Sequence, residues 1–242
     1  MIEVIKKPDI VLIDIDNTIY PYNSSHQAAI SVAEKKFRQL FPSSELKFRL
    51  EYEKAKLRVK LKLKNTASSH NRLLYFQNIF ESNGMGSQFL LSYDLYHTYW
   101  NNFLANSELF DYFINFLEAL RRLDIKICLV TDLLSEIQFK KVLFHNLDSY
   151  IDFIVSSEEV GFDKPKKNIF VAARNKINKN AKVIWMIGDD IEKDMIGAKK
   201  SLNAITFLKC KKNFSLKTNS KFVNYQFENY KDLIEFLNKI ND

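Results

Sequence analysis

Cysteine is nearly absent: Cys128 and Cys210 are the only two in 242 residues. They lie far apart in apolar or basic surroundings, which argues against a disulfide-stapled scaffold and for two buried thiols in a reducing compartment. Glycine and proline are scarce too, five and four, which excludes collagen-like and low-complexity classes. No apolar run approaches the length needed to cross a bilayer, and Met1 to Pro8 is too short and too charged to read as a secretory signal. A cytoplasmic protein without a membrane partner is therefore expected. Internal repeats are lacking as well.

Bulky apolar material is what the chain has in quantity. Hydrophobic residues make up 46% of it, with twenty Phe and eleven Tyr, ample for a large core in one domain with an insertion or in two small domains. The formal charge of +7 suggests an anionic partner: nucleic acid, a membrane surface or a phosphorylated small molecule. Charge does not choose among them, and lysine-rich surfaces also arise for solubility.

Short apolar runs recur at Ile10 to Ile13, Ile125 to Val130, Phe153 to Val155, Val183 to Ile187 and Ala204 to Phe207, with helical periodicity between them. This is the rhythm of an α/β, Rossmann-like parallel sheet with crossover helices. Asn106-Ser107-Glu108 reads as the cap of a helix through Phe110 to Leu120, and Ser135 or Asp132 as the cap of a helix through Ile137 to Phe144. Tyr230 to Ile240 reads as a final amphipathic helix.

Between Tyr20 and about Leu104 the rhythm breaks. The expected helices Ala28 to Phe41, Phe48 to Leu57, Leu73 to Phe80 and Leu90 to Phe103 make this an inserted, mostly helical cap domain, residues 22–104, in an α/β core of residues 1–21 and 105–242. Leaving and returning at the first strand's carboxyl end, it is expected to act as a lid. Within it Lys54, Lys56, Arg58, Lys60, Lys62 and Lys64 alternate with mostly apolar residues, a period of two that suits a basic strand face better than a helix. A phosphate track and a solvated face on an awkward helix both fit, and the solvated helix face is favoured, so a nucleic-acid partner is not the main expectation.

Four stations carry chemistry. Asp14-Ile15-Asp16-Asn17-Thr18 follows the first strand and sends Asp14 and Asp16 toward the crevice with Ile15 inward. Val130-Thr131-Asp132 ends another strand with a hydroxyl and free N–H groups ahead of a helix. Lys164-Pro165 places an ammonium where Pro165 suits the first helical turn. Gly188-Asp189-Asp190, followed by Asp194, gathers enough acid after a buried strand to ask for a counter-cation, and Mg2+ is the natural one.

In this order the stations resemble the haloacid dehalogenase (HAD) superfamily, whose pattern is DxDxT, a strand-terminal Ser or Thr, a Lys, and GDxxxxD. The match spans about residues 8–20 and 105–242, and the insertion looks like the family's first cap type. The resemblance implies a hydrolase in which Asp14 attacks phosphorus to form an aspartyl-phosphate and Asp16 protonates the leaving oxygen and later deprotonates water. Asp16 would be protonated when substrate binds, a state that Asp14 and Asp189 favour by repulsion. Lys164 and Thr131 complete the catalytic set. Asp14, Asp16 and Asp189, with Asp190 and Asp194, are the expected Mg2+ residues, Asp194 also tuning Lys164. Because dehalogenases lack the second acid, Asp16 points to a phosphatase; a phosphomutase, a phosphonatase or a non-catalytic binding module on the same fold are the alternatives.

Two departures stand out. Asp132 replaces the usual Asn or Gly and would weaken phosphate binding if it points inward, and Asn203 stands near the usual Ala-Gly helix end, where it can take the left-handed cap. Asp16-Asn17-Thr18-Ile19-Tyr20-Pro21 is similar to the opening of pyrimidine nucleotidase-like members, which favours a nucleoside monophosphate among small phosphorylated substrates. Thr18, Tyr20 and Asp132 in the core, with His70, Asn71 and Arg72 at a helix start in the cap, are the expected substrate contacts, and Tyr20 or Tyr22 could stack a base.

Overall fold

The computed structural model describes residues 6–211, 214–215 and 220–240. In chain order its elements are β1 (Ile10–Ile13), α1 (Tyr22–Leu40), α2 (Phe48–Lys62), α3 (Arg72–Ser82), α4 (Phe89–Ala105), α5 (Phe113–Arg122), β2 (Lys126–Thr131), α6 (Ser135–Phe144), β3 (Phe153–Ser156), the single turn α7 (Ser157–Val160), α8 (Lys167–Ile177), β4 (Ile184–Gly188), a π-helical turn Ile191–Ile196, α9 (Gly197–Leu202), β5 (Ile205–Lys209), β6 (Tyr225–Phe227) and α10 (Tyr230–Lys239). They form two compact units, Met1–Tyr20 with Leu109–Asp242, and Pro21–Glu108.

The first unit is built on a six-stranded sheet in the order β3-β2-β1-β4-β5-β6, with every neighbouring pair parallel. Its central strands read as continuous apolar runs because helices cover both faces. Ile10, Leu12, Cys128, Val130, Ile184 and Met186 share one face with Ile169 and Phe170 of α8. The alternate residues serve the other, where Trp185 packs on Phe207 with ring centroids 4.6 Å apart and Tyr230 on Phe113 at 4.9 Å. Since β1 lies between β2 and β4, the residues that follow these strands, Asp14, Asp132 and Asp189, emerge side by side. This is the sheet edge at which open α/β proteins bind ligands.

The second unit is helical throughout its regular elements. Its core is aromatic: Phe37, Phe48, Tyr52, Tyr75, Phe76, Phe80, Tyr99 and Phe103 are all essentially buried. The basic stretch, whose period of two suits a strand face, lies in α2 as far as Lys62. Phe48, Tyr52, Ala55 and Val59 form its buried stripe at helical spacing, while Leu57 and Leu61, which gave the sequence its period of two, are more than half exposed. One-turn ion pairs, Lys54–Glu51 at 2.8 Å and Lys56–Glu53 at 2.9 Å, neutralise part of the charge.

Other local expectations are corrected. Ser107 caps no following helix; its hydroxyl donates to the Leu104 carbonyl behind it at 2.8 Å, and α5 starts after Tyr112 in a left-handed conformation. Neither Ser135 nor Asp132 caps α6, whose first N–H, that of Ser135, goes to Glu158 at 2.8 Å. Pro165 follows a cis peptide bond and precedes α8 instead of sitting in its first turn. Asn203 does close α9 in the left-handed conformation, φ 52°. Both cysteines are free, and Cys210 is only partly buried.

Candidate active site

Asp14 continues the register of β1 by one residue, its N–H donating to the Ile187 carbonyl at 2.9 Å. The chain then turns tightly: Asn17 is left-handed at φ 63°, and the N–H groups of Thr18 and Ile19 both donate to the Ile15 carbonyl, at 3.2 and 2.9 Å. From across the unit the Tyr230 hydroxyl donates to the Thr18 carbonyl at 2.8 Å and fixes the turn. The turn brings Thr18 back under Asp14, and its hydroxyl donates to Asp14 Oδ2 at 3.0 Å. Thr18 is therefore a buried support of Asp14 and not the substrate contact expected. Tyr20 is wholly buried as well; its hydroxyl donates to Asp16 Oδ1, and its ring packs against His145 at 5.6 Å, so it offers no face for a base.

Lys164 supplies the other half of the Asp14 cradle. Its ammonium donates to Asp14 Oδ1 at 2.5 Å, Asp194 Oδ1 at 2.8 Å and the Val130 carbonyl at 3.0 Å, which uses all three protons. Asp132 orients the loop that carries it, Oδ1 accepting from the Lys164 N–H at 2.8 Å and Oδ2 from Lys193 Nζ at 2.8 Å. The departure that threatened to repel phosphate is thus paired with a lysine that lies inside the GDxxxxD segment, and Asp132 supports the loop that carries Lys164.

Asp14, Asp189 and Asp194 bring carboxylate oxygens within 4.8 Å of one another. Asp194 fits there because residue 188 has no side chain: a Cβ on Gly188 would lie 2.3 Å from Asp194 Oδ2. Three carboxylates face one ammonium, and their proton affinities respond. Burial pushes the Asp14 carboxyl up against the pull of Lys164, lifts Asp189 to about 7 with help from the Asp14 charge, and drives Asp194 far up. Burial disfavours the Lys164 ammonium, but Asp14 and Asp194 outweigh it and hold that group well above its usual range. A largely buried, acid-rich, oxygen-only donor set with excess negative charge is the environment a hard divalent cation stabilises.

Two expected metal residues stand outside this cluster. Asp190 caps the π-helical turn, Oδ1 accepting from the N–H groups of Glu192 and Lys193 at 2.9 Å each. Asp16 turns its carboxylate to Lys141, whose Nζ lies 2.7 and 2.9 Å from its two oxygens. Lys141 is thus a cation beside Asp16 that joins the acid neighbour Asp14, whose carboxyl feels the Asp16 charge. Thr131 ends β2 with its hydroxyl accepting from Gln138 Nε2 at 2.6 Å and donating to the Asp132 carbonyl at 3.2 Å. Two residues on, Leu133 is held at φ 109°, a strained backbone for a branched side chain, by its N–H bond to Ser157 Oγ at 3.0 Å.

Of the three residues expected to bind substrate in the helical unit, Asn71 caps α3, its side chain accepting from the Leu73 N–H at 2.9 Å. Arg72 is buried, with its guanidinium 5.2 Å from the Trp100 ring, 5.7 Å from Tyr75 and 5.9 Å from Tyr99. It donates to the Tyr22 hydroxyl and, at 2.5 Å, to the His70 carbonyl, while its buried Nε has no partner. His70 thus meets Arg72 through its backbone. Tyr22 stacks on His26 at 5.6 Å and packs against Phe103 at 5.3 Å.

Residues 8–201 match the family model described as haloacid dehalogenase-like hydrolase. The chain belongs to this family. As a HAD-like hydrolase it is 31% identical over 189 residues to the ribulose-1,5-bisphosphate 5-phosphatase of Halopiger xanaduensis, covering 78% of this chain and 79% of that one. The pyrimidine 5'-nucleotidase YjjG of Escherichia coli is 35% identical over 85 residues, 35% of this chain and 37% of its own. Among solved structures, the magnesium-bound HAD-hydrolase YfnB of Bacillus subtilis superposes with a TM-score of 0.69 at 20% identity, over 96% of this chain and 100% of that one. At that identity it speaks for the fold of this HAD-like hydrolase.

Lys141, Lys193, Gln138 and Tyr230 are the site residues that sequence reasoning missed. Gln138 and Lys141 lie one turn apart on α6 and both reach the site, a pairing visible as a polar pair at helical spacing. Lys193 and Tyr230 carried no comparable signal.

Proposed function

We propose that this HAD-like hydrolase is a Mg2+-dependent phosphomonoesterase acting on a small phosphorylated metabolite. The observation that carries the reading is the Asp14 carboxylate: nine-tenths buried, held by Thr18 and Lys164, and grouped with Asp189 and Asp194. Asp14 and Asp189 would hold the cation, with Asp194 behind them, and when bound it supplies charge neutralisation that lets a dianionic phosphate approach an acidic cluster.

The residues then have separate tasks. An Asp14 oxygen attacks phosphorus as the ester P–O bond breaks, and Asp16 gives its proton to the departing alkoxide. Water next attacks the phosphorus of the aspartyl-phosphate, Asp16 takes its proton, and phosphate leaves with Asp14 restored. Lys164 stays charged and offsets the negative charge of the transferring group. For Thr131 to donate to phosphate its hydroxyl must rotate away from the Asp132 carbonyl, with Gln138 as the pivot. The inserted helical unit is read as the family's cap.

A sugar phosphate is the favoured substrate class. Two relatives that span more than three quarters of the chain are named as phosphatases of ribulose-1,5-bisphosphate and of glyceraldehyde 3-phosphate, whereas likeness to the nucleotidase is confined to about a third of it, and burial of Tyr20 removes one of the two base-stacking candidates. The test is phosphate release from a panel of sugar phosphates, nucleoside monophosphates and small phosphorylated acids, with Mg2+ and with a chelator. Turnover of sugar phosphates that the chelator stops is expected; inactivity across the panel would sink the reading.

A further inference from the structure

α6 is built against the usual pattern of a surface helix. Phe139, Leu143 and Phe144 are about half exposed, while the side chain of Lys141 has no exposure at all. Burying an ammonium costs several kcal/mol unless its partners are well placed, and an apolar residue of similar size is often at least as stable in such a position. Lys141 meets that cost with Asp16. Its Nζ contacts both Asp16 oxygens, at 2.7 and 2.9 Å, and lies 5.8 Å from the centre of the Tyr20 ring, whose hydroxyl reaches the same Asp16 Oδ1. The two residues are 125 positions apart and meet because β2, which leads into α6, lies beside β1. The Asp16 side chain is 30% exposed at the end of a strand, and Lys141 reaches it from the core side.

We propose that Lys141 is the positioning residue for Asp16: from within the core it clamps the carboxylate through both oxygens and, with Tyr20, restricts it to one rotamer, so that the carboxylate takes up the proton of the attacking water from a fixed place. This rests on the acid/base reading of Asp16 given above. It adds a contribution of Lys141 to turnover that is exerted through Asp16 and not through substrate binding or fold stability.

A double-mutant cycle with Lys141→Met, Asp16→Asn and the combined variant tests it. General acid–base catalysis contributes about 10²- to 10⁴-fold, so loss of the clamp is expected to lower kcat about 10-fold or more with KM changed less than about twofold. In the Asp16→Asn background the same substitution should change kcat by less than about twofold, because its target is gone. Lys141→Arg, which keeps the charge and alters the reach, should recover part of the loss. Equal fold losses in the two backgrounds, or a loss confined to KM, would overturn the proposal. Should Lys141→Met not fold, the cycle is run with Lys141→Gln under the same criterion.

A crystal structure of Lys141→Met supplies a readout that needs no turnover. Asp16 is expected in a new rotamer or in several, and an unmoved Asp16 overturns the clamp. If the wild-type protein released no phosphate from any ester, the phosphatase reading would fall while this comparison still decided the role of Lys141.

Discussion

Replacing Gly188 with alanine puts one methyl group into the most crowded point of the site. The new Cβ would lie 2.3 Å from Asp194 Oδ2 and 2.5 Å from its Cγ, far inside van der Waals contact. Asp194 has little freedom to yield, because Oδ1 is tied to Lys164 Nζ at 2.8 Å and Oδ2 accepts from the Asp190 N–H at 3.1 Å. Pushing it aside therefore adds damage to a buried ion pair to ordinary overpacking. Overpacking alone costs about 1–3 kcal/mol, and complete loss of one partner from a buried pair about 3–5 kcal/mol. Since Asp194 is displaced and not removed, the expected destabilisation is about 2–4 kcal/mol, between those limits. The assay is urea unfolding followed by Trp185 fluorescence in a Trp100→Phe background, because Trp185 is buried on the same strand while Trp100 belongs to the helical unit. A stability within about 0.5 kcal/mol of the parent, the range of inconsequential surface changes, would refute the packing argument.

Lys164→Met should abolish turnover and destabilise the first unit by about 3–5 kcal/mol, since it leaves Asp14 and Asp194 buried without their shared cation; unfolding midpoints with and without added Mg2+ check this, and the deficit should shrink with the cation present. In the helical unit, burial and the nearby Arg72 lower His26 from 6.5 to about 4. Below pH 6.5 the unfolded chain takes up a proton that the folded one refuses, so stability should fall as pH drops from about 6.5 to about 4 and level off beneath, by up to about 3 kcal/mol. Trp100 fluorescence in a Trp185→Phe background reports that unit, and His26→Phe should flatten this part of the profile; an unchanged slope would remove His26 as its source.

The core strands β1, β2, β4 and β5 were legible because they are largely buried and therefore spell themselves as unbroken apolar runs, whereas their order in the sheet was not read from the sequence. β6 was not legible, since Tyr225–Phe227 is only three residues long at the sheet's edge. The basic stretch misled for a physical reason: Leu57 and Leu61 are apolar yet exposed, so apolar character and burial part company on α2. At the site, Asp14, Lys164, Asp189 and Asp194 could be found from motif spacing, and the structure gathers all four. Their supports could not be found that way. Thr18 and Asp132 looked like ligand contacts because polar residues at strand ends usually face solvent, and only the fold reveals that each carries a hydrogen bond to a neighbouring charged residue or its loop. Lys141 escaped notice because a lysine on an exposed-looking helix reads as surface, and its partner lies on another strand's loop.

The central claim is that Asp14 becomes phosphorylated, and trapping that acyl phosphate tests it most directly. Enzyme is mixed with a turned-over phosphomonoester and Mg2+, quenched in denaturant during the steady state and reduced with borohydride, which converts an aspartyl-phosphate to homoserine while leaving a free carboxylate untouched. Mass spectrometry of the peptide that spans Ile10 to Tyr20 should find homoserine at position 14, dependent on substrate and absent in Asp14→Asn. Continued phosphate release with residue 14 unmodified, or with the label on Asp16 instead, would contradict the account.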